Sequence, residues 1–418
     1  MKKTGCFKGI SVKFAAGIMA AALILCGCQK EAEVSEETAA TEPEGKVSLV
    51  FWEATEEGSP QLAMMEEMAE AFKAQHSDVS FDITIEPVGS DCKDRIISDM
   101  DNAPDVFTFA DDQLMTLVAA GIVGPVEKAD EIRARNLPAA VEAATVQDKL
   151  YAYPLTADNG YFLFYDKSVF DENDIKTMDG LVKKAAAVGK KVSFDVDNGW
   201  YLYSFFGNTG LKLGLNDDGI TNFCTWNDEG GKDVCKAIEQ LAKADGFVNA
   251  GDDELMQGAK DGTIAAGVSG VWVASALKEA WKDKLAAAKL PTYTVKGKQV
   301  QMASYAGYRL VGVNRLSPHA DWAAKFADFV TSEENQTRRF EKCGQGPSNV
   351  KAAGSEQVKK SIALQALIDQ SEYSSLQRIG NAYWGPAASL GEALVKGTSN
   401  IAQILDDTVK EITALPSD

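Results

Sequence analysis

At 418 residues the chain exceeds the ~250–300 residues over which a single core grows, so two domains are expected. A hydrophobic content of 45% is ordinary for a soluble globular protein. The net charge of −19 argues against nucleic acid, whose phosphates call for Lys and Arg, and identifies no other partner, since acidic surfaces chiefly confer solubility.

The N-terminus carries an address. Lys2, Lys3, Lys8 and Lys13 precede a bare apolar run over 14–25, followed by Cys26, Gly27 and Cys28. A basic start, an apolar run shorter than the ~20 residues that span a bilayer, and small residues at a cleavage point make a secretory signal. LCGC at 25–28 resembles the bacterial lipobox, which implies a lipoprotein signal peptide over 1–27, cleavage before Cys28 and diacylation of its thiol. Residues 28–45 are rich in Glu, Thr, Ala and Ser without apolar periodicity, so a disordered tether is expected there. Its reach is about 60 Å stretched and roughly 20–25 Å as a coil. The body is therefore expected at the extracellular face of the bacterial cytoplasmic membrane, touching it through the lipid alone. Of seven cysteines, Cys92, Cys224, Cys235 and Cys343 remain for the body. No CxxC spacing suggests zinc or redox chemistry, and they read as packed free thiols, although Cys224 and Cys235 are close enough in sequence to pair.

In chain order, 46–51 is a strand ending at Trp52. Leu62, Met65, Met68 and Phe72 then recur at helical spacing. Val79, Phe81, Ile83 and Ile85 alternate with polar residues as a half-buried strand. A helix around Ile96 and Ile97 leads to a short strand over 105–110, which ends in Asp111 and Asp112. Strand, helix, strand, helix, strand predicts a parallel sheet whose ligands sit outside the strands' carboxyl ends. At 151–167, YAYPLTADNGYFLFYDK, two extended aromatic runs flank 156–160, which reads as a turn because Asn and Gly tolerate positive φ. It is a hairpin or a crossover between domains. Beyond it, 181–188 is helical and 191–194 extended, and 197–201 is a turn presenting Trp200 and Tyr201. Helices are expected over 234–241, 253–261 and 277–287, with a small-residue strand over 263–267 before Trp272. An extended run spans 303–314, through Tyr305, Gly307 and Tyr308. Trp322, Phe326 and Phe329 follow as helix core, and a helix over 401–415 closes the chain.

Catalytic inventories fail. The two histidines, His76 and His319, fall beside a helix end and in a turn, where both are expected to be solvated. No metal-spaced cluster, nucleophile elbow or phosphate-cradling loop is present, so no enzyme, metal or cofactor is expected. Paired acids such as Asp111 and Asp112 keep a surface glycoside hydrolase as the alternative. Tryptophans carry the stronger signal. Trp52, Trp200, Trp272 and Trp384 each stand at a strand end or a glycine-flanked turn, whereas Trp281 and Trp322 read as core and Trp226 is undecided. With Asp111, Asp112, Asp158 and Asn159 they suggest a cleft of aromatic faces and hydrogen-bond acceptors, suited to a sugar.

From 46 onward the chain resembles extracellular solute-binding proteins of the maltose-binding type, the receptors of ATP-driven sugar importers. The resemblance rests on LVFW at 49–52, APDVFTFADDQL at 103–114, AAGIVGPV at 119–126, and KLYAYPLTADNGYFLFYDK at 149–167. It continues through GWYLYSFFGNTG at 199–210, GVSGVWVASAL at 267–277 and AYWGPAASLGEAL at 382–394. It implies a two-lobed α/β fold, each lobe a mostly parallel sheet flanked by helices, joined by a hinge. The first lobe would hold 46–155 with about 306–352, and the second 156–305 with about 353–418, which makes 154–161 a hinge crossing. It places sugar-stacking rings at Trp52, Phe109, Trp200, Trp272 and Trp384, with polar cleft positions at Glu53, Asp112, Asp158 and Asn159. Tyr161, Tyr201, Tyr308 and Tyr383 complete the expected set. It also implies a monomer that passes an oligosaccharide, foremost maltose or a maltodextrin, to ABC transporter permease subunits. The chain departs from the maltose pattern at Glu56 and Glu57, at Gln113, and by one extra residue in the crossing. These departures leave a different oligosaccharide as a further alternative.

Overall fold

The computed structural model describes residues 45–89, 91–216 and 218–415. The expected signal peptide, Cys28 and all of the tether but Gly45 lie outside them. Two mixed sheets organise the described chain. The first is six-stranded, with its main path running Ser374–Leu376, Ser304–Val313, Val106–Ala110, Val47–Ala54 and Phe81–Val88. Tyr153–Gly160 also pairs with Ser304–Val313. The second is five-stranded, in the order Phe247–Val248, Lys191–Ser193, Ile264–Ser269, Phe162–Asp166 and Leu285–Ala288.

The opening βαβ unit follows from its sequence. Val47, Leu49 and Phe51 are buried along the first strand, which pairs in parallel with Phe81–Val88 and with Val106–Ala110. Helix Pro60–Gln75 starts where Ser59 Oγ accepts from the Leu62 N–H and Pro60 fills the first turn, a position where no N–H is needed. It buries Met64, Met65, Met68 and Phe72 against the sheet. His76 is half-buried, with its ring 4.7 Å from Phe72 and 5.3 Å from Trp322, so aromatic packing rather than solvent surrounds much of it.

Three stretches differ from the sequence reading. Residues 156–160 form the second half of strand Tyr153–Gly160 rather than a turn, bonded to Ala306, Gly307 and Arg309 of the neighbouring strand. Pro154 is tolerated because this is an edge strand. Gly160 serves close approach, since a Cβ there would lie 2.6 Å from Leu367 Cδ1 and 3.2 Å from the Tyr305 carbonyl. Tyr161 alone then separates this strand from Phe162–Asp166 of the second sheet. The expected turn at 197–201 begins helix Gly199–Phe206, capped by Asn198 Oδ1 on the Trp200 N–H. Packing overrides the modest helix propensity of its aromatics, since Tyr201 to Phe206 are all buried. The helix expected over 277–287 ends at Trp281, and Leu285–Ala288 instead forms a ladder with Phe162–Asp166.

One hydrophobic core lies around the first sheet, drawing on residues from Val47 to Leu155 and from Tyr308 to Val330. Two others flank the second sheet. Strand Ser374–Leu376 returns to the first sheet, whereas helices Trp384–Lys396 and Ile401–Ile412 contribute Leu390, Leu394, Leu405 and Ile412 to a second-sheet core. Trp226 is part of that core, fully buried and stacked on Phe206 with ring centroids 3.9 Å apart. Trp226→Ala should lower unfolding free energy by roughly 3–5 kcal/mol, read as a shifted midpoint in urea titration.

Candidate functional site

Consecutive residues at the end of strand Val106–Ala110 line two different cavities. The first, about 670 Å³, has Ala110, Asp158, Asn159, Tyr308 and Arg309 on the first sheet's strands, and Val271, Trp272 and Ser275 from the second sheet's side. The second, about 810 Å³, is lined by Asp111, Asp112 and Met115 and, from the chain beyond Tyr161, by Ile220, Arg378 and Trp384. The Tyr308 N–H donates to Asp111 Oδ1 at 2.7 Å, which ties the two walls together.

The ring-bearing positions have a common origin. Trp200 lies in the first turn of helix Gly199–Phe206, Trp272 in a 3₁₀ turn leading into helix Ala274–Trp281, and Trp384 begins helix Trp384–Lys396. Trp272 is 46% exposed, and its Nε1–H donates to Asp252 at 2.6 Å. Trp200 is half-buried, 5.8 Å from Trp272 between ring centroids, and its buried Nε1–H has no partner. Tyr161 and Tyr383 are fully buried behind these rings. The Tyr161 hydroxyl donates to the Trp200 carbonyl at 2.8 Å and that of Tyr383 to the Gly199 carbonyl at 2.7 Å. Tyr201 is buried against Trp200 and Phe194. These three tyrosines therefore support the helix start that carries Trp200.

The first-sheet positions divide differently. Asp158, Asn159, Tyr308 and Asp112 line the cavities. Phe109 lines a smaller neighbouring cavity of about 240 Å³. Trp52 is 8% exposed and outside these three cavities, its Nε1–H on Glu86 at 2.8 Å and the Arg95 guanidinium 4.7 Å over its ring. Glu53 is wholly buried, held by Arg339 at 3.1 Å, with Arg309 at 3.7 Å. Asp111, one of the acids suggested for the cleft, stands on a cavity wall, and Arg309, which was not expected there, stands on another. Asp111 carried a signal as the first of two adjacent strand-end acids. Arg309 carried one too, as a charge within an otherwise apolar strand.

Burial governs the acids. It pushes Asp111 up to about 7, with the Asp112 charge adding to the rise and the Tyr308 N–H opposing it. Asp111 Oδ2 has no hydrogen-bond partner. Burial also raises Asp112, against the pull of Lys93. It raises Asp158 as well, against hydrogen bonds from Thr156 and the Gly346 N–H and the charges of Arg309 and Arg339. Half-exposed rings beside carboxylates and amides can hold a ligand with flat apolar faces and hydroxyl edges. No group of three or more His, Cys, Asp or Glu among the described residues could hold a metal ion. No described helix is long and apolar enough to cross a membrane.

Comparison with known proteins agrees with this architecture. A family model described as bacterial extracellular solute-binding protein matches residues 67–366. A galactooligosaccharide-binding protein of Bacillus subtilis (strain 168) is 26% identical over 422 residues, covering 96% of each chain. A maltodextrin-binding protein from L. casei BL23, solved without ligand, superposes with a TM-score of 0.78 at 25% identity over 89% of this chain and 100% of its own. A cyclo/maltodextrin-binding protein complexed with maltotetraose shares the fold, with a TM-score of 0.76 at 21% identity over 89% of this chain and 98% of its own.

Because Asp111 is protonated more readily folded than unfolded, its contribution to stability is greatest at low pH and is lost as pH rises from the ordinary carboxylate range through about 7. Asp111→Asn should therefore gain in melting temperature relative to the wild type as pH rises across that window. A constant difference between the two melting curves would show that the carboxyl does not titrate there.

Proposed function

This chain belongs to the bacterial extracellular solute-binding proteins, and from that premise we propose that it is a non-catalytic receptor that captures an oligosaccharide between its two lobes. The observation that carries this reading is the pair of adjoining cavities, walled by Trp272 and Trp384 on one side and by Asp112, Asp158, Asn159 and Tyr308 on the other. Rings contribute about 0.5–1.5 kcal/mol each beyond burial and hydrogen bonds about 1 kcal/mol net. A few of each reach the roughly −8 kcal/mol of micromolar binding. Maltodextrin is the leading ligand, supported by the maltodextrin-binding proteins among the structural neighbours. Galacto-oligosaccharide is the second reading, favoured by the Bacillus relative. The lipobox at 25–28 supports anchoring through Cys28, and a tethered receptor suits delivery of the sugar to an ABC importer in the same membrane.

Calorimetric titration of the protein with malto- and galacto-oligosaccharides tests the reading directly. Saturable binding without products in the eluate is expected, whereas chromatographic appearance of shorter sugars would favour a glycoside hydrolase. Trp384→Ala and Trp200→Ala should each weaken binding by roughly 2 kcal/mol, the range of interface hot spots; wild-type titrations for both would remove these rings from the site. Cys28→Ala should move the protein from the membrane pellet to the soluble fraction, and its retention in the pellet would count against lipidation.

A further inference from the structure

Among the described residues, Arg309 is the one cationic side chain on the wall of the 670 Å³ cavity, and it also lines the 240 Å³ cavity beside it. Its side chain is 31% exposed. One nitrogen, Nη1, donates to the Ala54 carbonyl at 2.7 Å and lies 3.7 Å from Glu53. Nη2 and Nε have no protein partner among the described residues. The guanidinium is therefore fixed on one edge and free on the other.

What fixes it is rigid. Glu53 is buried completely and takes both terminal nitrogens of Arg339, at 3.1 and 3.5 Å. Arg339, itself 1% exposed, also donates to Gln345 at 2.9 Å. A planar fork clamped this way gives little further rotamer freedom to a ligand that binds its open edge. Arg309 and Arg339 lie on either side of one ion-paired acid, Glu53, while the nearby Asp158 is raised by burial against the pull of both arginines. With Glu53 already set against both arginines, a ligand carboxylate would stand beside a buried carboxylate, whereas a neutral polyol would meet fixed donors.

Resting on the receptor reading above, we infer that Arg309 determines specificity in this cleft by donating from its open edge to paired oxygens of an uncharged sugar ring, with Glu53 and Arg339 as its positioning residues. The ligand class this selects is a neutral oligosaccharide, not a uronic-acid polymer.

Wild type, Arg309→Lys and Arg309→Met are titrated calorimetrically with maltotriose, galactotriose and a trimer of galacturonic acid, after thermal melts establish which variants fold. Hydrogen bonds to a charged group are worth about 1.5–3 kcal/mol, so Arg309→Met should bind the preferred neutral trimer about 10-fold more weakly or worse. Arg309→Lys keeps the charge and loses the fork, and should also weaken binding several-fold; if the methionine variant does not fold, this one decides. Wild-type affinity in a folded variant would overturn the inference while leaving the receptor reading intact. Tighter binding of the galacturonic acid trimer than of either neutral sugar by the wild type would overturn the assigned ligand class. A wild type that binds none of the three would remove the receptor reading and this inference with it.

Discussion

The structure depends on a single residue of spacing. Strand Tyr153–Gly160 belongs to the first sheet and Phe162–Asp166 to the second, and only Tyr161 lies between. A linker of one residue keeps these two strand ends together, and the backbone there is set by how Tyr161 is held. It is held firmly: the ring is buried, the hydroxyl donates to the Trp200 carbonyl, and Ser204 Oγ donates to it at 3.3 Å. Burial raises the Tyr161 hydroxyl far above the usual phenol range, so it remains a neutral donor. The residue that joins the sheets thus also fixes the helix start that carries Trp200, whose ring lies 5.8 Å from that of Trp272.

A second constraint sits behind the first sheet's strand ends. Burying Glu53 and Arg339 together is weak evidence for stability, since desolvation offsets most of the attraction between them. Its clear consequence is geometric. The pair ties the end of strand Val47–Ala54 to helix Glu333–Cys343, nearly three hundred residues later in the chain. Gln345 and Gly346 follow that helix, and the Gly346 N–H donates to Asp158 at 2.8 Å. Two segments, 153–160 and 345–347, are therefore pinned to each other beside the cavity that Asp158 and Asn159 line. The isolated bridge between Thr156 and Pro347 belongs to the same seam.

Much of the fold was legible because its signals are local. Alternation at Val79 to Ile85, the capped helix after Ser59 and the short apolar strand before Asp111 each report a half-buried or buried element without reference to anything distant. Where the reading departs from the structure, a distant partner decides. Residues 156–160 look like a turn because they are polar and contain glycine, yet the polarity belongs to a cavity wall and the glycine to Leu367. The alanines at 286–288 favour helix by propensity, but the open edge of Phe162–Asp166 takes them as a strand. Among the rings, Trp52 and Trp272 carried the same local signature. What separates them is invisible in sequence: Arg95 and Glu86 close over one, and the other keeps nearly half its surface. Arg309 stands out in sequence only as a charge in an apolar strand, and its partners Glu53 and Ala54 are supplied by the fold.

The distribution of chemistry between the two halves has a mechanical consequence. Trp200, Trp272 and Trp384 all arise at the starts of helices packed on the second sheet's side, whereas Asp112, Asp158, Asn159, Tyr308 and Arg309 arise on or just after first-sheet strands. The tryptophans that line the two larger cavities come from one half, and most of the strand-end hydrogen-bonding groups come from the other. A ligand that needs both must touch both, so its interaction free energy is greater when the halves are together than when they are apart. Differential affinity of that kind is the only means by which a ligand can shift a conformational equilibrium. In a receptor of the proposed kind, stacking on one side and hydrogen bonding on the other would make closure a property of the ligand's chemistry. A purely apolar molecule would satisfy the tryptophans and leave the buried acids and the arginine fork unmatched, while a compact polar one would leave the rings exposed.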